Sequence, residues 1–224
     1  MNKYRDFSGK PAVIIGTGPS LTADQLDYIG AARAVGSCRV FGVNNAFRYA
    51  TYLDVLMSCN IEWWDYYAQD RAFLDFRSRN AQCDLWTWDK TTADKYKINH
   101  VPGQWGDSFS TDPAYIHYGH SAGFQILNLA YHYGVRHFIL VGYDMRYLPG
   151  YDRGNRKPGE GRHFFGEYPK KLQHWPKVGA DGEFTGLLKV FKKIDTRGLG
   201  IKISNCSPGS ALDFFDNTEL EIVL

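Results

Sequence analysis

A turn with two glycines follows the first apolar run of the chain, and its residue types suit the binding of a phosphate. The run Ala12–Ile15 is rich in β-branched residues and ends abruptly at Gly16–Ser20, which reads GTGPS. Glycine lets a backbone approach a ligand closely, and the free N–H groups at a following helix start favour an anion. The spacing matches neither GxGxxG nor a Walker A loop, because no GK[ST] follows. We interpret the turn as a nucleotide loop; an ordinary strand-to-helix turn of a parallel sheet is the alternative.

Two asparagines stand where predicted strands end. Asn44 follows the predicted strand Arg39–Val43, and Asn60 follows the predicted strand Asp54–Cys59. Ligands of open α/β sheets bind outside the carboxyl ends of the strands, so the glycine turn and both asparagines are expected to share one edge. Asparagine is also a common turn residue that tolerates left-handed geometry, which leaves a purely structural role open.

Metal-binding motifs are missing from the sequence. It contains no DxD, no HExxH and no histidine spacing typical of a metal site. We therefore predict chemistry without a metal. Asp144, which ends a predicted strand, is the residue expected to position Mg²⁺ if the substrate is a triphosphate.

Strands and helices that alternate along the chain must position these residues. A helix is predicted after the glycine turn, and another runs from its cap Ser121 to Tyr133, where Gly134 ends it. The apolar strand His137–Val141 follows at once, as a crossover in a parallel sheet requires. The other predicted elements are a helix over Glu62–Phe76, extended segments at Gln82–Thr87 and Tyr96–Val101, a loop from Pro102 to Tyr118, a helix over Phe184–Ile194, a strand over Gly200–Asn205 and a short helix from Cys206 through Phe215.

The segment 148–175 interrupts this alternation with glycine, aromatic and basic residues. A loop this long inside a compact domain is typically a functional lid or a disordered segment, and we interpret it as a lid that closes over an anion. Its basic residues favour either a solvated loop or a contact with a polyanionic acceptor such as a nucleic acid: Arg153, Arg156, Lys157 and Arg162.

Composition limits the class of protein. The chain has 224 residues, of which 44% are hydrophobic, so one sizeable core and a single α/β domain over 1–224 are expected. A net charge of +2 gives no global nucleic-acid footprint. The N-terminus has no apolar signal region and no run is long enough to span a bilayer, so we expect a cytoplasmic protein without a transmembrane segment. Four scattered cysteines without a CxxC pair indicate free thiols.

The motifs together resemble a known group of enzymes. GTGPSL, the two strand-end asparagines, SAGFQILNLAYHYGVRHFILVGYDM and NCSPGSALDFF are similar to motifs of bacterial sialyltransferases of the single-domain, Rossmann-like type. They also resemble the related domain of flagellin nonulosonic-acid transferases, the motility accessory factors, and archaeal 6-hydroxymethylpterin diphosphokinase-like proteins. The similarity covers most of the chain in order. It implies a Rossmann-like parallel sheet with helices on both faces and a nucleotide-binding enzyme, whose substrate in the sialyltransferases is a CMP-sugar.

The resemblance also implies binding residues. The nucleotide loop of those enzymes is matched by Gly16, Thr17, Gly18, Pro19 and Ser20. Their donor-contacting asparagines are matched by Asn44 and Asn60, and the start of their donor-binding helix is matched by Ser121 and Gly123. The aspartate that ends their middle strand is matched by Asp144. Thr17 replaces an asparagine of those enzymes. Gly119 and Ala122 stand where the sialyltransferases have an arginine and a serine near the donor carboxylate.

Glycosyl transfer from a nucleotide needs a base and a group that stabilises the departing phosphate. Histidine suits the first role because its pKa ordinarily lies near neutrality. An ungapped match to the family's histidine gives Gly179, and a shift of a few residues gives His174, which we predict as the base; His120 is the rival, and a structural histidine is the alternative for both. Arg146, Tyr147 and Tyr151 are predicted to stabilise the phosphate, unless Tyr147 packs under the loop.

The sequence therefore predicts an inverting, metal-independent glycosyltransferase. Its substrates would be a nucleotide-sugar, with CMP as the predicted nucleotide, and a glycan or other polar acceptor. A pyrophosphokinase of the pterin type, dependent on ATP and Mg²⁺, and a non-catalytic nucleotide or nucleic-acid binder are the alternatives. Assembly into a homo-oligomer is left open.

Overall fold

The apolar run Ala12–Ile15 forms the central strand, β1, and all four of its side chains are buried. Successive side chains of a strand point to opposite faces, so Ala12 and Ile14 enter one layer of the core while Val13 and Ile15 enter the other. A strand buried on both faces needs a helical layer on each side of its sheet.

The computed structural model of the protein describes residues 3–147, 163–173 and 182–224. Its elements in chain order are β1 (Ala12–Ile15), α1 (Ala23–Ala34), β2 (Arg39–Val43), β3 (Val55–Met57), α2 (Ile61–Tyr67), α3 (Arg71–Arg79), β4 (Asp84–Thr87), α4 (Lys90–Tyr96), β5 (Asn99–His100), β6 (Gly103–Gln104), β7 (Ile116–His117), α5 (Ala122–His132), β8 (His137–Val141), α6 (Thr185–Phe191), β9 (Lys202–Asn205), β10 (Asp216–Asn217) and α7 (Leu220–Val223), with 3-10 turns at Asn44–Arg48 and Lys170–Leu172.

Eight of the described strands form one parallel sheet in the order β10-β9-β8-β1-β2-β3-β4-β5. The helices α5 and α6 pack on one face, and α1, α2 and α3 pack on the other. The predicted α/β, Rossmann-like architecture is therefore confirmed. From β1 the chain proceeds outward through β2 to β5, then returns to β8 on the other side of β1, so the direction of winding reverses between β1 and β8.

Two predicted helices are wrong. The helix predicted over Glu62–Phe76 is two helices, because Asp70 starts α3 by accepting a hydrogen bond from the Phe73 amide at 3.2 Å. The short helix predicted from Cys206 through Phe215 is a series of turns. There Ser207 Oγ accepts from the Tyr143 amide and Ser210 Oγ donates to the Tyr143 carbonyl, so both side chains bind backbone outside the segment.

Three smaller differences lie between residues 89 and 118. Asp89 caps the helix α4, which the sequence analysis did not predict, and the predicted extended segment Tyr96–Val101 shrinks to β5. The predicted loop 102–118 contains the two-stranded parallel sheet β6–β7. The four cysteines are free, as predicted.

A buried carboxylate ties three elements together at the amino end of the sheet. Asp54 is only 2% exposed, and its oxygens accept from Arg33 Nη2 and the Val40 amide, both at 2.9 Å. Arg39 lies 3.8 Å away. The carboxylate therefore joins α1, β2 and the loop before β3.

We predict that Asp54→Asn lowers the free energy of unfolding by about 3 kcal/mol, because it leaves the Arg33 charge unpaired and turns a donor toward the Val40 amide. Urea unfolding of the two proteins measures the loss. Asp94→Asn, which breaks the exposed pair with Lys90, is the control and should change stability by less than about 0.5 kcal/mol. Equal losses in the two variants would contradict the assigned role of Asp54.

Candidate functional site

A cavity of about 550 Å³ opens at the carboxyl ends of β1, β2 and β8. This volume suits a small-molecule ligand, and the position is the point where the winding of the sheet reverses, at which open α/β sheets bind ligands. Its walls are formed by Gly16–Pro19, Val43, Asn44, His120–Gly123, Gly142–Tyr147, His163, Phe184, Gly186 and Leu187.

The glycine loop lines this cavity, and three of its backbone amides, those of Gly16, Gly18 and Ser20, are hydrogen-bonded inside the protein. The amides of Gly16 and Gly18 donate to the carbonyls of Val141 and Gly142, each at 2.8 Å, and the Ser20 amide donates to Asp144 Oδ1 at 3.0 Å. These amides are therefore directed at the β8 loop rather than at a ligand. These bonds join the glycine loop to the loop after β8, whereas the Thr17 N–H has no acceptor among the described residues, and the phosphate-binding role of the loop stays a prediction.

Close packing of the two loops explains both glycines. A Cβ on Gly18 would lie 1.8 Å from Asp144 Oδ2, and one on Gly16 would lie 2.3 Å from the Gly142 carbonyl oxygen. The following helix start is also closed to an anion, because the Thr22 and Gln25 side chains cap α1 reciprocally and Asp24 lies in its first turn.

Asp144 fixes this junction with a carboxylate that is 5% exposed. Besides the Ser20 amide, it accepts a hydrogen bond from the Ser20 hydroxyl at 2.8 Å. Burial raises the pKa of the Asp144 carboxyl above its usual 3.8, and the hydrogen bonds from Ser20 act in the opposite direction. The predicted aspartate thus lies at the cavity, and it holds the loop there.

The helix start that opens into the cavity belongs to α5. Ser121 caps α5 as predicted, accepting from the Phe124 amide at 3.1 Å. The Ala122 amide faces the Cys59 thiol, whose pKa burial raises to about 11. The Gly123 N–H has no acceptor among the described residues. The start of α5 lines the cavity, and its first turn carries no acidic residue that would offset the positive end of the helix dipole.

The structure separates the two predicted asparagines. Asn44 lines the cavity in a left-handed conformation, with φ at 49°. Asn60 is not among the lining residues; it caps α2, accepting from the Glu62 amide at 3.0 Å. Asn60 is a predicted site residue that the structure assigns to a helix end, because Asx side chains cap helices readily.

Arg146 and Tyr147 line the opposite wall. Arg146 Nη2 donates to Glu183 Oε1 at 2.9 Å, and the Tyr147 ring packs edge-on against Phe184 with 5.0 Å between centroids. Backbone hydrogen bonds join this segment to the residues before α6. The predicted residues His174 and Tyr151 lie outside the described residues, as do 148–162 and 174–175 of the predicted lid.

The described part of that lid reaches the glycine loop. The Phe164 amide donates to the Thr17 carbonyl at 3.0 Å, and His163 Nδ1 lies 3.2 Å from Thr17 Oγ1. The His163 ring stacks on Phe165 with an interplanar angle of 8°. His163 belongs to the basic segment 148–175 that the sequence predicts as a lid, and the contact with Thr17 is the observation that brings it to the cavity.

His120, the predicted rival base, lies at the mouth of the cavity. It is exposed and adopts a left-handed backbone conformation, with φ at 58°, directly after Gly119, whose φ is 50°. A side chain at Gly119 would overlap the Phe124 ring. A non-glycine residue held in this region is strained, and such strain concentrates at functional sites.

Comparisons with family models and with curated proteins find no match to this chain. In the ranges that the structure describes, no group of three His, Cys, Asp or Glu side chains could hold a metal ion together. No helix in those ranges has the length and apolar character needed to cross a bilayer.

We predict that Gly18→Ala lowers the free energy of unfolding by about 2 kcal/mol, because the methyl group must displace Asp144. Gly186→Ala is the matched control: Gly186 also lines the cavity, lies inside α6 and has open space at its Cβ. It should leave stability unchanged or raise it by up to about 1 kcal/mol. Thermal and urea unfolding report both changes, and equal tolerance of the two substitutions would refute the junction.

The raised pKa of Asp144 gives a pH dependence. Between pH 3.8, the usual pKa of the carboxyl, and its higher pKa in the folded protein, the folded state binds more protons than the unfolded state. The free energy of unfolding that this group contributes therefore falls as the pH rises through that window. We expect the stability of the wild type relative to Asp144→Asn to fall across this window in urea unfolding. A rising difference would mean that Ser20 outweighs burial.

Proposed function

We propose that the protein is a glycosyltransferase that takes its sugar from a nucleotide-sugar, a CMP-sugar being the donor that the sequence resemblance favours. The observation that carries the proposal is the cavity at the reversal of the sheet, into which the capped, eleven-residue helix α5 directs its first turn. The remaining walls supply an apolar surface and two histidines.

The phosphate is assigned to the first turn of α5. Gly123 offers an N–H group that the described residues leave without an acceptor, at the positive end of the helix dipole. In the glycine loop, the amides of Gly16, Gly18 and Ser20 are already bonded to Val141, Gly142 and Asp144. Arg146 also lines the cavity, where its charge is shared with Glu183.

The nucleoside is assigned to the apolar wall. Phe184 and Leu187 come from the α6 end of the cavity, and Tyr143, Met145 and Tyr147 follow β8. Aromatic and aliphatic walls with few polar groups are typical of sites that bind a flat base.

The reaction is a direct displacement at the anomeric carbon. His120 takes the proton from an acceptor hydroxyl, and the acceptor oxygen forms a bond to the anomeric carbon. The bond from that carbon to the phosphate oxygen breaks, and the nucleotide leaves with the electron pair. One displacement inverts the anomeric configuration.

We predict that CMP raises the melting temperature of the protein in a concentration-dependent way, because a ligand that binds only the folded state stabilises it by mass action. Differential scanning fluorimetry with CMP, ATP plus Mg²⁺, and a short oligonucleotide separates the proposal from the pyrophosphokinase and nucleic-acid alternatives. Stabilisation by ATP plus Mg²⁺ alone, or by the oligonucleotide alone, would remove the support for a transferase.

We predict that His120→Ala reduces turnover about 100-fold or more while the nucleotide still binds, because a general base acts only on the chemical step. Release of CMP from a CMP-sugar in the presence of acceptor measures turnover, and calorimetry measures binding. His100→Ala is the control, since His100 lies in the edge strand β5 and contacts the Trp88 carbonyl. If His174→Ala removes turnover and His120→Ala does not, the base is His174.

A further inference from the structure

Trp105 is the most exposed aromatic side chain that the structure describes, with 71% of its surface accessible. Its ring lies 5.0 Å from the ring of His120, centroid to centroid, at an interplanar angle of 49°. His120 is in turn part of the cavity wall. A large apolar ring is therefore held in solvent directly beside the mouth of the candidate site.

The Trp105 ring is held in position by neighbouring aromatic rings and by the small sheet β6–β7. Its ring packs on Tyr118 at 5.1 Å, and Tyr118 packs edge-on against Trp88 at 5.3 Å. The small parallel sheet β6–β7 joins the chain just before Trp105 to the chain just before Tyr118. Gly103 permits this packing, because a Cβ there would lie 2.1 Å from the Tyr118 ring. We call the group Trp88, Trp105, Tyr118 and His120 the aromatic corner.

The chemistry of the aromatic corner fits a neutral sugar ring. The face of an indole carries negative charge density, and the C–H bonds on the flat face of a pyranose present positive hydrogens to it. A nucleic acid would need cations nearby to meet its phosphates. The charged residue nearest to Trp105 along the chain is Asp107, whose charge is paired with Lys193 at 2.8 Å, so the sequence neighbours of Trp105 supply no unpaired cation.

We propose that the aromatic corner is the acceptor subsite, where a neutral hexopyranose ring stacks on Trp105 and presents a hydroxyl to His120. This assignment names the acceptor class of the glycosyltransferase and so rests on the proposed function. The ring of the acceptor lies outside the cavity, and only its reacting hydroxyl reaches the mouth.

Indole N–H resonances of isotope-labelled protein test the stacking without any turnover. Lactose, cellobiose and chitobiose are the sugar probes, and an oligothymidylate is the nucleic-acid probe. We expect a saturable shift of the indole signal that Trp105→Phe removes, with at least one disaccharide. The signals of the buried Trp63, Trp64 and Trp86 should stay in place. The proposal would be overturned if none of the three sugars shifts the indole signal, or if the oligothymidylate binds more tightly than the sugars.

Two substitutions measure the contribution of the ring. Trp105→Ala should weaken disaccharide binding about 10-fold, whereas Trp105→Phe, which keeps a ring, should weaken it less than about 3-fold. Saturation transfer from protein to sugar protons measures the affinity. Tyr28→Ala removes a partly exposed ring on α1, away from the cavity, and should change nothing. Equal binding by all three variants would also overturn the proposal.

CMP binding, measured on the same wild-type sample, distinguishes the two proposals. If CMP binds and no sugar moves the Trp105 signal, the acceptor subsite is wrong and the donor site stands. If a disaccharide moves the signal and CMP does not bind, the sugar subsite stands and the nucleotide-sugar mechanism falls.

Discussion

The hydrogen bonds between Asp144 and Ser20 join the loops that follow β1 and β8, and both loops line the cavity. They hold the loop after β1 against the loop after β8 at the one place where the winding of the sheet reverses. Gly16 and Gly18 are required because these backbones and the Asp144 side chain leave no room for a Cβ.

The two helix starts near this junction differ in their first turns. The helix α1, which follows the glycine loop, is closed by its own capping box and an acidic first turn. The helix α5 begins beside the cavity, is capped by Ser121 and carries Gly123 in its first turn. A helix start is open to an anion where an amide lacks an internal acceptor; in the first turn of α5 the Phe124 amide binds Ser121, and among the described residues the Gly123 N–H has no acceptor.

The cavity is bounded by segments that are far apart in the sequence. The residues 182–184 pair with the chain after β8 and bring Phe184 beside Tyr147, while Phe164 binds the carbonyl of Thr17. Left-handed backbone at Gly119 and His120 turns the chain from β7 into α5 and sets His120 beside Trp105. An apolar wall, a helix start and an aromatic corner therefore meet around one opening.

The sequence by itself determined the alternation of strands and helices, the central strand Ala12–Ile15 and the cap at Ser121, because apolar periodicity and capping chemistry act over a few neighbouring residues. It placed Asn44 and Asp144 at the correct edge, since carboxyl ends of parallel strands share an edge. Only the tertiary structure decided that the glycine loop binds Asp144, that Asn60 caps a helix, and that His163 and Trp105 border the cavity. Each of these depends on contacts between residues distant in the chain, and local pattern carries no information about which amides such contacts will occupy.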